Sequence, residues 1–165
     1  MTRASIASLA ILVAVMTFAA SCGGTEKAAT TSVGDGVAEV VRQILGTTSP
    51  DTAPGQDLVL SRVIIPAGKP IATHVHPGPQ LAIIVEGTLT YTVHSGEVRI
   101  TRAAGTAGAT NEIAGAGQTV ELRPGDLVLE TPTEVHDAKN ATNGPVVIYL
   151  ASLFPTGAPA SSPAS

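Results

Sequence analysis

The stretch Gly68-Lys69-Pro70-Ile71-Ala72-Thr73-His74-Val75-His76-Pro77-Gly78-Pro79-Gln80, continuing through Leu81-Ala82-Ile83-Ile84-Val85-Glu86 to Gly87, holds two of the chain's four histidines. His74 and His76 are separated by one residue, so on an extended strand, where side chains alternate, both rings project to the same side. The Pro77-Gly78-Pro79 turn then launches an apolar run at Gln80 that ends at the Glu86-Gly87 step. Two imidazoles on one face are half of a metal site; they are also what a solvated or hydrogen-bonded pair looks like. His136, 60 residues beyond His76, can complete a facial set only if the sheet closes back on itself, as it does in a small barrel or jelly roll.

The surrounding chain supports such a sheet. Short runs rich in Val, Ile, Leu and Thr recur at 58–65, 80–86, 88–94, 98–101, 119–122, 127–131 and 146–153, divided by Pro and Gly signals such as Pro66-Ala67-Gly68, Ser95-Gly96 and Pro124-Gly125-Asp126. Residues 37–45 fit both a helical stripe and a strand, and are read here as a strand. Residues 103–117, with four glycines and six alanines, are expected to form a hairpin or a loop at the rim.

Composition narrows the function classes. The 165 residues carry 9 Lys+Arg against 13 Asp+Glu, a net charge of -4, with 13% charged residues, 17 Gly and 12 Pro. So few charges and so many turn formers favour short strands over a helical bundle. Without a basic stripe, and with few aromatic rings, the chain lacks the means to track phosphates or stack bases, which excludes nucleic acid as a partner.

The two ends read differently from the middle. Residues 1–21, with Arg3 ahead of an apolar run from Ile6 to Ala20, are expected to be an export signal. Ala19-Ala20-Ser21-Cys22 resembles the lipobox of bacterial lipoproteins, with Ala19 where that box usually has Leu. The resemblance makes Cys22 a lipid anchor on the outer face of the cell membrane; the alternative is plain secretion. Residues 22–36 read as a flexible tether. Residues 155–165, made only of Pro, Thr, Gly, Ala and Ser, are expected to be disordered. A folded domain over 37–154, with its motifs within 57–154, is what remains.

A second stretch carries the same kind of ruler. Gly125, five residues, Thr131-Pro132-Thr133, two residues, His136, three residues and Asn140 follow one another in order. Together with Gly68, five residues, His74-Val75-His76, three residues, Gln80, six residues and Gly87, this spacing resembles the two motifs of the cupin superfamily. The departures are Gln80 in place of a glutamate, and Thr131 and Thr133 in place of a proline and a glycine. The resemblance implies an all-β fold, an antiparallel jelly-roll barrel of six or more strands. It also implies a divalent transition metal (Fe, Mn, Zn, Ni or Cu) held in the barrel mouth by His74, His76, Gln80 and His136.

An amide oxygen at Gln80 would offer a dipole where a carboxylate offers a full charge, and it could not act as a base. Glu86 and Glu134 are the nearby acids, and both are expected to face solvent. His94 is expected at the surface, Asn140 in hydrogen bonds to its own loop, and Tyr91 either in the barrel lining or half-buried in the sheet. Two functions follow: an exported metal-dependent oxygenase or isomerase acting on a small organic molecule, or a non-catalytic module that captures a small ligand or metal ion at the cell surface. Residues 40–45 are the candidate edge for pairing with a second copy as a homodimer.

Overall fold

A computed structural model describes residues 38–164. The expected export segment, Cys22 and the whole of the tether lie outside the described residues. Twelve strands form two antiparallel sheets. They are β1 (Val41–Thr48), β2 (Gln56–Ile65), β3 (Pro70–Val75), β4 (Gln80–Glu86), β5 (Leu89–Ser95), β6 (Glu97–Arg102), β7 (Thr110–Gly115), β8 (Thr119–Leu122), β9 (Leu127–Glu130), β10 (Val135–Lys139), β11 (Val146–Pro155) and β12 (Ser162–Pro163). The larger sheet runs β1-β2-β11-β4-β9-β6-β7 and the smaller β12-β3-β10-β5-β8.

Alternation along the strands builds the interior. On β5, Leu89, Tyr91 and Val93 are buried; on β11, Val146, Ile148 and Leu150 are. These meet Ile65, Ile84, Ile100, Leu122 and Val128 between the sheets. Full burial of each such aliphatic side chain contributes about 1.5–3 kcal/mol. Gly68, Gly87 and Gly125 hold φ of 73°, 75° and 89°, the left-handed region where a side chain is penalised. At Gly87 space is short as well, because a β-carbon would stand 2.5 Å from the Pro145 carbonyl oxygen.

Of the stretch expected as a strand, residues 41–45 fall in β1, which lies at one edge of the larger sheet among the described residues. The 103–117 stretch contains β7, paired to β6 from Arg102↔Thr110 to Glu97↔Gly115. The tail expectation needs correction. Ala158 N–H donates to Pro155 O across a turn, Ser162 and Pro163 pair with Val75 and His74, and Ala164 N–H donates to Thr73 O. No apolar burial is needed for this, because the backbone groups on the open edge of β3 supply partners that composition does not reveal.

Candidate metal centre

The two sheets contribute different chemistry to one place. From the smaller sheet come the imidazoles: His74 and His136 are direct cross-strand partners on β3 and β10, and His76 follows β3 by one residue. The β10 register shifts on both sides of His136, against β5 and against β3. A bulge of this kind re-aims a side chain. From the larger sheet comes a polar row: Ser152 of β11 lies opposite Gln80 of β4, which lies opposite Glu130 of β9. All three are buried.

Ring centroids of His74, His76 and His136 are 4.2 to 5.3 Å apart, and one nitrogen from each lies within 4.8 Å of the others. Two of the rings are oriented by the backbone. His74 Nδ1–H donates to Ala72 O at 2.8 Å and His76 Nδ1–H to Ala160 O at 2.7 Å. Each bond leaves Nε2 as the free, lone-pair nitrogen, the arrangement usual in metal-ligating histidines. Burial pushes the His136 imidazole down to about 4, with Glu130 opposing and His74 and His76 reinforcing; His74 is lowered too, again chiefly by burial. Both are therefore neutral at physiological pH, the form that binds a cation. The donor set fits a divalent transition metal.

Gln80 sits beside these rings with its amide already engaged. Ser152 Oγ–H donates to Gln80 Oε1 at 2.6 Å, and Gln80 Nε2–H donates to Glu130 Oε2 at 2.6 Å. Rotating the amide by half a turn would set its oxygen against a carboxylate, so the chemistry fixes the orientation. Its nitrogen, 3.3 Å from His76 Nε2, is the atom turned toward the histidines; the oxygen expected among the ligands is held by Ser152.

Two acids shape the site beyond what the sequence suggested. Glu134, expected to face solvent, is fully buried, because the Thr131-to-Glu134 turn brings Glu134 and His136, two residues apart, onto the inner face. Tyr91 O–H donates to Glu134 Oε1 at 2.6 Å and lies 3.1 Å from Glu130 Oε1. Burial pushes the Glu134 carboxyl up to about 7, opposed by the Tyr91 hydrogen bond, while burial and the two glutamates raise the Tyr91 phenol strongly. Tyr91 thus lines the barrel, stacked on His136 at 4.7 Å. Glu134 Oε2 and His136 Nδ1 have no hydrogen-bond partner, and His136 Nδ1 stands 3.7 Å from Glu134 Oε1.

Glu130 is the residue that the sequence reading passed over. A signal existed: Val128 and Glu130 alternate with Leu127 and Leu129, and the first pair is the inward one. Glu86 is exposed, and His94 is exposed and pairs with Asp137 at 2.7 Å. Asn140 serves its loop: Nδ2–H donates to Ile65 O and Gly144 O, and Oδ1 accepts from Thr142 N–H and Oγ1–H.

A cavity of about 190 Å³ adjoins the histidines. Its lining is largely aliphatic, including Ile84, Leu122 and Ile148, and also contains Arg42 of β1. Ala160 and Ser161 of the tail border its other side.

No protein-family model matches the chain, and no curated protein sequence matches it. Among solved structures, a cupin 2 domain-containing protein from Halorhodospira halophila superimposes with a TM-score of 0.50 at 12% identity, over 81% of this chain and 76% of that one. A cupin superfamily protein from Desulfitobacterium hafniense gives 0.48 at 14% identity over 70% and 78%. KdgF from Halomonas sp. gives 0.46 at 19% over 68% and 77%. The likeness is one of fold: the chain has the antiparallel jelly-roll barrel of the cupins, with a histidine cluster that could hold a metal ion in it.

Proposed function

We propose that this chain is an exported, metal-dependent cupin that binds and turns over a small organic molecule inside its barrel, with Cys22 as its lipid anchor. One observation carries the reading. Three imidazoles from β3, the following turn and β10 bring nitrogens within 4.8 Å of one another, and a cavity opens directly beside them. A divalent metal, when bound by His74, His76 and His136, supplies Lewis acidity toward an oxygen, nitrogen or sulfur donor of the substrate.

The chain's own residues set what can enter. At about 190 Å³, the cavity is somewhat larger than the roughly 150 Å³ apolar cavity that holds benzene, so the substrate is a compact molecule. Aliphatic walls favour a hydrocarbon body, and Arg42 in the lining favours an anionic group on it. Proton handling favours turnover over simple capture. Glu134, hydrogen-bonded by Tyr91, is suited to hold a proton near neutrality, and Glu130 lies beside the same histidines. The oxygenase and isomerase classes both fit these groups.

Metal analysis of the freshly purified protein is expected to find about one transition metal per chain, and His76→Ala to abolish it. Oxygen uptake or product formation with small diketones, phenols and thiols then separates turnover from capture. Absence of metal in the isolated protein, together with no binding on reconstitution, would defeat the reading.

A further inference from the structure

We propose that Glu130, rather than Gln80, is the carboxylate ligand of the metal centre, so that the negative charge missing from β4 is supplied by its cross-strand partner on β9. The inference rests on the metal-binding reading above and goes further, because it assigns a ligand that the motif spacing does not contain.

Register comes first. Gln80 and Glu130 are directly opposed across the β4–β9 ladder, and opposed residues of an antiparallel pair project to the same face. A carboxylate on either strand therefore enters the same space. Of the two residues, only Glu130 has oxygens facing the histidines, since the Gln80 oxygen is held by Ser152.

Charge comes second. Glu130 is 5% exposed, and among the described residues its ion-pair neighbours within 4 Å are His76 and His136, with no lysine or arginine. Its hydrogen-bond donor is Gln80; Tyr91 Oη lies 3.1 Å away, with its one proton given to Glu134. Arg42 acts on it only at longer range; a buried carboxylate with no fixed cation in contact is costly, and such groups are normally paired or coordinate a metal.

Geometry comes third. Glu130 Oε2 lies 3.4 Å from His76 Nε2, and Oε1 lies 3.5 Å from His136 Nε2. Because His76 Nδ1 is engaged with Ala160, Nε2 is the ring nitrogen that faces the carboxylate. Metal bonds of about 2.1 Å to imidazole nitrogen and carboxylate oxygen give ligand-to-ligand edges of about 3.4 Å in a tetrahedron. Each separation has the length of such an edge; the two involve different oxygens of the carboxylate, so one oxygen reaches both nitrogens after a turn of the carboxylate group.

The test is binding of Co²⁺, followed by its visible spectrum and by chelator competition, to the wild type and to Glu130→Gln, Glu130→Asp and Gln80→Ala. Glu130→Gln is expected to weaken binding by about a hundredfold and to change the spectrum, since a charged ligand is lost. Glu130→Asp, which keeps the charge and withdraws the oxygens by one methylene, should bind with intermediate affinity and an altered spectrum. Gln80→Ala removes the amide that holds Glu130 in place, so it should weaken binding by about tenfold, less than Glu130→Gln does. A wild-type spectrum and affinity in either folded Glu130 variant overturns the assignment while leaving the three-histidine centre standing. Failure of the wild type to bind Co²⁺ at all overturns both.

Discussion

The buried Glu134–His136 pair makes a prediction about stability and pH, best measured on metal-stripped protein. The His136 pKa falls from 6.5 in the open chain to about 4 in the fold. Between those values the unfolded chain binds the extra proton, so the His136 contribution is fully present above pH 6.5 and is lost as pH falls toward 4. Glu134 moves the other way, from 4.5 to about 7. Here the folded chain binds the extra proton, so the contribution is present below pH 4.5 and is lost as pH rises toward 7. Between 4.5 and 6.5 the two slopes oppose each other, and the pair leaves stability nearly flat. Glu134→Gln keeps the shape and an oxygen for the Tyr91 hydroxyl but removes the carboxyl titration, exposing the His136 slope. Across about two pH units at about 1.4 kcal/mol per unit, the variant should gain about 3 kcal/mol relative to the wild type as pH rises through this window. Urea unfolding at half-unit pH steps measures it. Because His74 is also depressed, the difference between the two proteins is the quantity that matters. Parallel stability profiles for variant and wild type would refute the opposed titrations.

Two further perturbations separate the site from its frame. Ending the chain after Ala158 removes the Ala160 carbonyl that orients His76 and the β12 pairing to β3. Metal affinity should fall by about tenfold, by the usual effect of losing a group that orients a ligand; unchanged affinity by chelator competition would show that the tail merely rests there. Asn140→Ala strips the partners from the Ile65 and Gly144 carbonyls and should cost about 3 kcal/mol in urea unfolding. In the same variant, metal affinity at a temperature where it stays folded should not change, since Asn140 holds a loop and bonds no histidine.

Where apolar side chains alternate with polar ones, the strands could be read from the chain. Residues 80–86 and 119–122 coincide with β4 and β8, and the other expected runs on β2, β5, β6, β9 and β11 differ only at their ends. Four strands escaped that rule, each for a physical reason. On β10 the inward positions are His136 and Ala138, so the hydrophobic period fails at the very strand whose interior positions serve the site. On β3 a proline and small residues hide the pattern, and β7 is broken up by Gly and Ala. β12 needs only backbone hydrogen bonds, to which composition is blind.

The site divides along the same line. Spacing along the chain could find His74, His76 and His136, because ligands two apart on a strand, or fixed after a turn, leave a linear trace. It could not find Glu130, 50 residues from Gln80, whose role depends on which strand lies beside which. Once the β4–β9 register is known, the two residues form one cross-strand unit, an amide and a carboxylate joined at 2.6 Å. The glutamine is then a positioning group for the acid. Its Nε2–H fixes one carboxylate oxygen, which directs the carboxylate toward the imidazoles. Such a centre would present three imidazole nitrogens, one carboxylate oxygen and a second acid, Glu134, that burial raises to about 7. A dication bound there would keep one net positive charge, enough to polarise a substrate atom, while Glu134 can take up or release a proton near neutral pH.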